Sequence, residues 1–192
     1  MPNRFYALRH GFSVANDLGI ICSRWEHGRL AEYGLHAVGR SQAVEAAKEI
    51  ARVTSRAVVF ASDFARARET AEIVRAGLGL GEVYLQPLLR ERDFGDFELT
   101  ASENYEKVWE QDAVDASHTR FGVESAEAVL KRALLAVEIA DKAFEDADVI
   151  LVSHGDTLQI AQTAWSPWPV GQHRRLPHLD TCELRRLDMV VS

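Results

Sequence analysis

The sequence predicts an α/β fold in which a largely parallel sheet carries helices on both faces. Short apolar runs of strand length alternate with longer segments whose apolar residues recur at helical spacing. Parallel strands require such crossover helices between them. Two of the runs, Ala57 to Ala61 and Val149 to Val152, are apolar without a break. A strand with one wet face would alternate, so an unbroken run implies cover on both sides.

Arg4 to Leu8 is the first strand, stopped by Arg9-His10-Gly11. Gly39 to Val53 places Ala43, Ala46, Ala47, Ile50 and Ala51 on the stripe of a helix with one buried face. The run Ala57 to Ala61 ends in Ser62-Asp63, whose side-chain oxygens suit the N-terminus of a helix from about Ala65 to Leu78. Gly77-Leu78-Gly79-Leu80-Gly81 resembles a dinucleotide loop, yet it follows a helix and precedes a strand, so it reads as a helix C-terminal turn. Val83 to Gln86 is a third strand. Thr100 and Glu103 have capping-box spacing and predict a helix containing Tyr105, Val108 and Trp109. Ser125 opens a long Ala- and Leu-rich helix reaching about Phe144. After Val149 to Val152, Ser153-His154-Gly155-Asp156 leads into a helix ending near Trp165, where Asp156 is placed to cap it. Prolines oppose regular structure from Ser166 to Pro177, and Glu183 to Val191 supplies a last strand at an edge. No repeat, low-complexity tract or linker interrupts the chain, so residues 1–192 are read as one domain.

Hydrophobic residues make up 47% of the chain and charged ones 27%, which supports a core and excludes a disordered chain. The 2 cysteines, Cys22 and Cys182, are too few for a disulfide framework or a cysteine zinc site. They point to a reducing compartment, and a cytoplasmic location is expected. Met1-Pro2-Asn3-Arg4 lacks a basic segment followed by an apolar run, so no signal peptide is expected. No stretch approaches the ~18 apolar residues of a membrane helix, so no membrane association is expected either. A formal net charge of −7 weighs against nucleic acid as a partner and requires any phosphate site to be locally positive.

His10 and His154 each follow a predicted strand immediately and precede a glycine. Ligands gather outside the carboxyl ends of strands in such sheets, so the two rings would share one crevice if their strands are neighbours. The plainer alternative is two unrelated loop histidines. Arg9 adjoins His10, and Arg66 lies in the first turn of the helix after the second strand. Helix N-termini and arginine forks both favour phosphate oxygens, although Arg66 could equally pair with Glu69 or Asp63. Arg174, Arg175, His173 and His178 could reach a second anionic group or form a solvated basic turn. Trp25 could line the mouth of the site, whereas Trp109, Trp165 and Trp168 read as core or lid packing. No histidine pair carries metal-ligand spacing, and no metal or other cofactor is expected.

Leu8-Arg9-His10-Gly11, with Ser13 and Asn16 after it, resembles the opening signature of the histidine phosphatase superfamily, in its phosphoglycerate-mutase-like branch. Further matches follow in order: Gly34 to Ala43, Ser62-Asp63-Phe64-Ala65-Arg66-Ala67, Leu89-Arg90-Glu91 with Phe94 to Glu98, Gly122 to Ser125, and Ser153-His154-Gly155. The resemblance implies a three-layer α/β/α sandwich and a phosphohistidine mechanism on a small phosphorylated substrate. By position, His10 matches the nucleophile, Arg9, Arg66 and His154 the phosphate pocket, and Glu91 the proton donor. Ser13, Asn16 and Gly155 match positions near the phosphate. Such an acid must stay partly protonated, which demands burial or a nearby carboxylate.

Two departures bear on specificity. Phe12 stands where many members carry a polar or acidic residue, and no basic residue follows His154-Gly155 closely. The segment between Glu98 and Gly122 is too short for the large insertion that encloses the substrate of the family's mutases. A short cover admits water, which favours a phosphatase over a phosphoglycerate-type mutase. A phosphate-binding module without turnover is the third reading, and it has no evident use for Glu91. Oligomeric state and substrate identity are left open by the sequence.

Overall fold

The computed structural model describes residues 2–188. Strands β1 (Arg4–Arg9), β2 (Ala57–Ala61), β3 (Val83–Leu85), β4 (Asp148–Ser153) and β5 (Leu184–Arg186) form one sheet in the order β3-β2-β4-β1-β5. All neighbours are parallel except β1 and β5, which are antiparallel. Helices α1 (Val14–Asp17), α2 (Trp25–Gly28), α3 (Ala37–Val53), α4 (Ala65–Leu78), α5 (Tyr105–Asp112), α6 (Ala126–Ala143) and α7 (Gly155–Gln162) occupy the connections.

The sheet is covered on both sides, as the unbroken apolar runs predict. On one face, Ala43, Ala46, Ala47 and Ile50 of α3 and Ala67, Ala71 and Val74 of α4 pack against Tyr6, Leu8, Val59, Ile150 and Val152. On the other, Ala136 and Ala140 of α6 and Leu158 of α7 meet Ala7, Phe60, Val149 and Leu151. Successive strand residues therefore serve opposite layers, the period of two that a pleated strand dictates. Each fully buried Leu or Ile contributes about 1.5–3 kcal/mol through apolar burial. The architecture is a three-layer α/β/α sandwich.

Four local expectations change. Ser62 receives the Phe64 N–H at 3.2 Å, but Asp63 does not cap α4; its carboxylate is held by Arg90 at 2.7 and 2.6 Å. Thr100 and Glu103 form no capping box: the Thr100 hydroxyl donates to Phe97 O, and a 3-10 turn, Ser102–Asn104, leads into α5. Asp156 does not cap α7, because it is drawn into a buried ion cluster. Pro169 does not prevent order after it, since Val170–Arg175 forms 3-10 turns. The last strand is confined to Leu184–Arg186, and the predicted part beyond Asp188 lies outside the described residues. Ser125 caps α6 at Ala128 N, and Gly79 ends α4 with φ of 67°, both as expected.

The topology positions the site through β1 and β4. They are adjacent and parallel, with Arg9 opposite Ser153. His10 and His154 are the next residues along each strand, so the sheet delivers both side by side at its carboxyl edge. The loop after His10 is pressed against the start of α3: a Cβ on Gly39 would lie 2.1 Å from Phe12 O. Only glycine permits that approach, and it lets Phe12 O accept the His36 N–H at 2.9 Å.

Candidate active site

His10 is 3% exposed, and its ring is fixed at both nitrogens. Nδ1 lies 2.8 Å from Gly11 O, an acceptor only, so Nδ1 carries the proton. Nε2 accepts from Arg66 Nε at 3.0 Å, which requires a lone pair there. Both contacts specify the same tautomer. Burial first, then the fields of Arg66 and Arg9, hold the His10 ring well below the usual imidazole range, so it is neutral. Arg66 is anchored by Nη2 donating to Cys22 O at 2.8 Å, with neither Glu69 nor Asp63 as a partner.

His154 is fully buried and packs edge-on against His10 with ring centroids 5.2 Å apart. Its Nε2 lies 2.8 Å from the Ser62 hydroxyl. That hydroxyl accepts from Phe64 N, and among the described residues its own proton has no acceptor other than Nε2, which leaves the ring proton on Nδ1. Among the described residues, Arg9 Nε, Arg66 Nη1, His154 Nδ1 and His173 Nε2 are buried without a hydrogen-bond partner, the first three beside His10. An unsatisfied buried donor costs about 1–3 kcal/mol. Three of them around one imidazole form a receptor for an anion.

The cleft beside His10 has a volume of about 340 Å³ and is lined by Arg9, Ser13, Asn16, Arg66, Glu91 and Gly155 among others. All five candidate chemical residues are thus in the cleft or, for His154, against His10. Ser13 and Asn16 are bound to each other through a capping box at the start of α1, with Ser13 N–H and Oγ donating to Asn16 Oδ1 at 3.0 and 2.9 Å. Gly155 begins α7 close against Arg9, whose Nε would lie 3.3 Å from a Cβ there, a tight contact.

Glu91 is a buried carboxyl that lines the same cleft. Its Oε1 accepts from Arg92 N at 2.9 Å and Thr157 N at 3.2 Å, and lies 3.1 Å from the Thr157 hydroxyl, whose one proton is shared with Arg90 O at 2.9 Å. Burial, and then the charge of Asp156, push the Glu91 carboxyl above the usual carboxylate range, against the pull of Arg66. Both conditions named for a retained proton are therefore present. Glu91 also borders a second opening, of about 570 Å³, in which Trp25 lies under the Arg90 guanidinium at 4.0 Å. Trp25 belongs to that opening and not to the cleft of His10. Phe12 is likewise outside the cleft: its N–H donates to Gln42 and its ring meets His36.

Of four further cleft side chains, residue patterns left Tyr105 without a role, read Trp109 as core or lid packing, and offered Arg174 and His178 either a second anionic group or a solvated turn. Tyr105 and Trp109 of α5 stack on each other, 5.3 Å apart, and form a wall of the cleft. Arg174 lies over the Trp109 ring at 3.7 Å, and His178 accepts from Arg9 Nη1 at 2.7 Å. Of the four residues in the predicted basic turn, Arg174 and His178 thus line the cleft. His173 is fully buried, and Arg175 turns onto Trp168. The four-residue spacing of Tyr105 and Trp109 was the available signal for one helix face, but nothing in it specified what that face covers.

The sequence model described as the histidine phosphatase superfamily (branch 1) matches residues 5–190. The chain belongs to this superfamily. It is 28% identical to a 2,3-bisphosphoglycerate-dependent phosphoglycerate mutase of Parvibaculum lavamentivorans, over 83% of this chain and 78% of that protein. It is 31% identical to an acid phosphatase of Mycobacterium tuberculosis, over 90% of this chain and 80% of that protein. A solved mycobacterial glucosyl-3-phosphoglycerate phosphatase, in complex with VO3, is 26% identical and superposes with a TM-score of 0.77, covering 95% of this chain and 90% of that one. The superfamily thus joins this chain to both mutases and phosphatases.

Proposed function

We propose that this superfamily member is a metal-independent phosphomonoester hydrolase that passes the phosphoryl group through His10 of a single catalytic domain. The observation that carries the reading is the fixed His10 tautomer, which presents the Nε2 lone pair among unpaired donors of Arg9, Arg66 and His154. In the first step Nε2 attacks phosphorus, the P–O ester bond breaks, and the Glu91 carboxyl gives its proton to the departing oxygen. Arg66 Nε turns from Nε2 to a phosphoryl oxygen as the N–P bond forms. The arginines and His154 Nδ1–H stabilise the charge that spreads over the phosphoryl oxygens. In the second step ionised Glu91 takes a proton from water, water oxygen bonds to phosphorus, and the N–P bond breaks to release phosphate and neutral His10.

Hydrolysis rather than return of the phosphoryl group to a sugar acid is favoured by the thin cover. Between Leu99 and Phe121 the only α-helix is α5, of 8 residues, and Glu91 borders a second opening through which water can approach. The substrate is a small phosphorylated metabolite. Arg174 and His178 are positioned for the part of it beyond the phosphate. His10→Ala is expected to abolish phosphate release from a generic ester such as 4-nitrophenyl phosphate, and wild-type protein denatured in alkali during turnover should carry phosphate on His10 that acid releases. Wild-type rates in His10→Ala would overturn the reading. Position-to-position exchange without phosphate release would replace it by the mutase.

A further inference from the structure

Beneath the cleft lies a buried ion cluster that the reaction steps above leave unused. Arg92 is fully buried and donates to both oxygens of Asp112 at 2.6 and 2.8 Å, and to Asp156 Oδ2 at 3.3 Å. Trp109 Nε1 donates to Asp156 Oδ1 at 2.8 Å, and His173 Nε2 lies 3.5 Å from the same oxygen. His118 Nε2 lies 2.8 Å from Asp112 Oδ1. Asp112 and Trp109 belong to α5, Asp156 to α7, and Arg92 directly follows Glu91. The cluster therefore joins the helix over the cleft to the segment that carries the acid. A buried ion cluster is weak evidence for stability, since desolvation offsets much of its attraction, so stability alone does not account for it.

We propose that Asp156 is a positioning residue for Glu91: it docks α5 over the cleft and keeps a fixed negative charge beside the carboxyl that protonates the leaving group. This rests on the assignment of Glu91 as the acid. Asp156 and Glu91 line the same cleft, and Thr157, the neighbour of Asp156, holds Glu91 Oε1 through its N–H. The two carboxyls are driven apart. Burial opposes ionisation of Asp156, but His173, Arg92 and Arg174 outweigh it and hold the group below the usual carboxylate range. The groups facing Glu91 are Asp156 from α7, Arg66 from α4, Arg9 from β1, Tyr105 from α5, and Cys22. Among these, Asp156 is the one the cluster keeps ionised and negative. Two neighbouring carboxyls with opposed protonation states are a recurrent arrangement for assigning one to acid duty.

The test compares Asp156→Asn with wild type through pH profiles of kcat on an alkyl and an aryl phosphate. Removing the charge favours ionisation of Glu91, so the alkaline limb should move to lower pH. At neutral pH the alkyl ester should slow about tenfold, while the aryl ester, with its better leaving group, slows less. Asp156→Glu should restore the limb. Trp109→Phe removes the N–H to Asp156 without changing charge, and should raise KM while leaving the limb in place. A superimposable Asp156→Asn profile, or an equal shift in Trp109→Phe, overturns the proposal. A second measurement needs no turnover and no Asp156 variant: carboxyl-carbon NMR of wild type, with Glu91 assigned through Glu91→Gln. Glu91 should titrate above the ordinary glutamate range while Asp156 stays ionised, and the reverse order overturns the proposal. Absence of hydrolysis by wild type, with that titration order intact, would count against the phosphatase reading alone.

Discussion

At Glu91 the side chain has every reason to be ionised in water and is given opposing surroundings: burial and the neighbouring Asp156 carboxylate outweigh the Arg66 charge and the N–H donors of Arg92 and Thr157, which favour the ionised form. His10 is perturbed in the complementary direction, kept neutral by burial and by two guanidinium groups. In the proposed mechanism the nucleophile needs a lone pair and the acid a proton, so the two shifts would open a pH window in which both are competent. The acid limb set by His10 falls below the usual imidazole range, and the alkaline limb set by Glu91 lies above the usual carboxylate range. Glu91→Gln should therefore lower kcat for alkyl phosphates by about 10²–10⁴-fold, the ordinary worth of general acid help, and abolish the alkaline limb. Aryl phosphates should suffer less. Equal slowing of both ester types in steady-state assays would deny Glu91 the acid role.

Secondary-structure elements contribute by where they end. β1 and β4 each stop one residue before a histidine, and their pairing in register converts two distant sequence positions into neighbours. The N-terminus of α3 closes against the loop after His10 through Gly39. Gly39→Ala would drive a methyl into Phe12 O, so the loop carrying Gly11 and Ser13 must shift. Overpacking of this kind costs about 1–3 kcal/mol, which thermal unfolding should register, along with a raised KM for every phosphate ester tested. An unchanged midpoint and KM would mean that the loop yields freely. The helices themselves were legible because their apolar stripes, at Ala43, Ala46, Ala47 and Ile50 for example, are a local property of the chain. Their caps were less so. Asp63 looked like a cap because of its place before α4, but Arg90, distant in sequence, offers it two charge-assisted hydrogen bonds.

Over the whole molecule, a chain of net charge −7 builds a cleft with Arg9, Arg66 and Arg174 in its lining. The surface charge and the site charge are thus of opposite sign, and an anion gains only where the arginines converge. Arg174 makes no ion pair with a carboxylate among the described residues; its guanidinium lies on Trp109 and binds the Gln159 amide oxygen. Beyond the field of Asp156 nothing anionic among the described residues engages it within ion-pair distance, so in the proposed function it serves a second anionic group of the substrate. Arg174→Ala should raise KM about tenfold or more for 3-phosphoglycerate, the loss of one charged hydrogen bond, and leave glycerol 3-phosphate, which lacks the carboxylate, nearly unchanged. Parallel changes in both KM values would remove Arg174 from substrate recognition.

The amino-acid order alone determined the layers, the strand ends and the ordered motifs from Arg9 to His154, because periodicity and strand termination are written in neighbouring residues. It likewise named Glu91 and the condition its chemistry imposes. Only the folded chain decided which charges meet that condition. Asp156 beside Glu91, Arg92 between Asp112 and Asp156, and Arg174 on Trp109 are pairings across tens of residues. Their strength depends on distance and on exclusion of water, and neither quantity exists until the layers close.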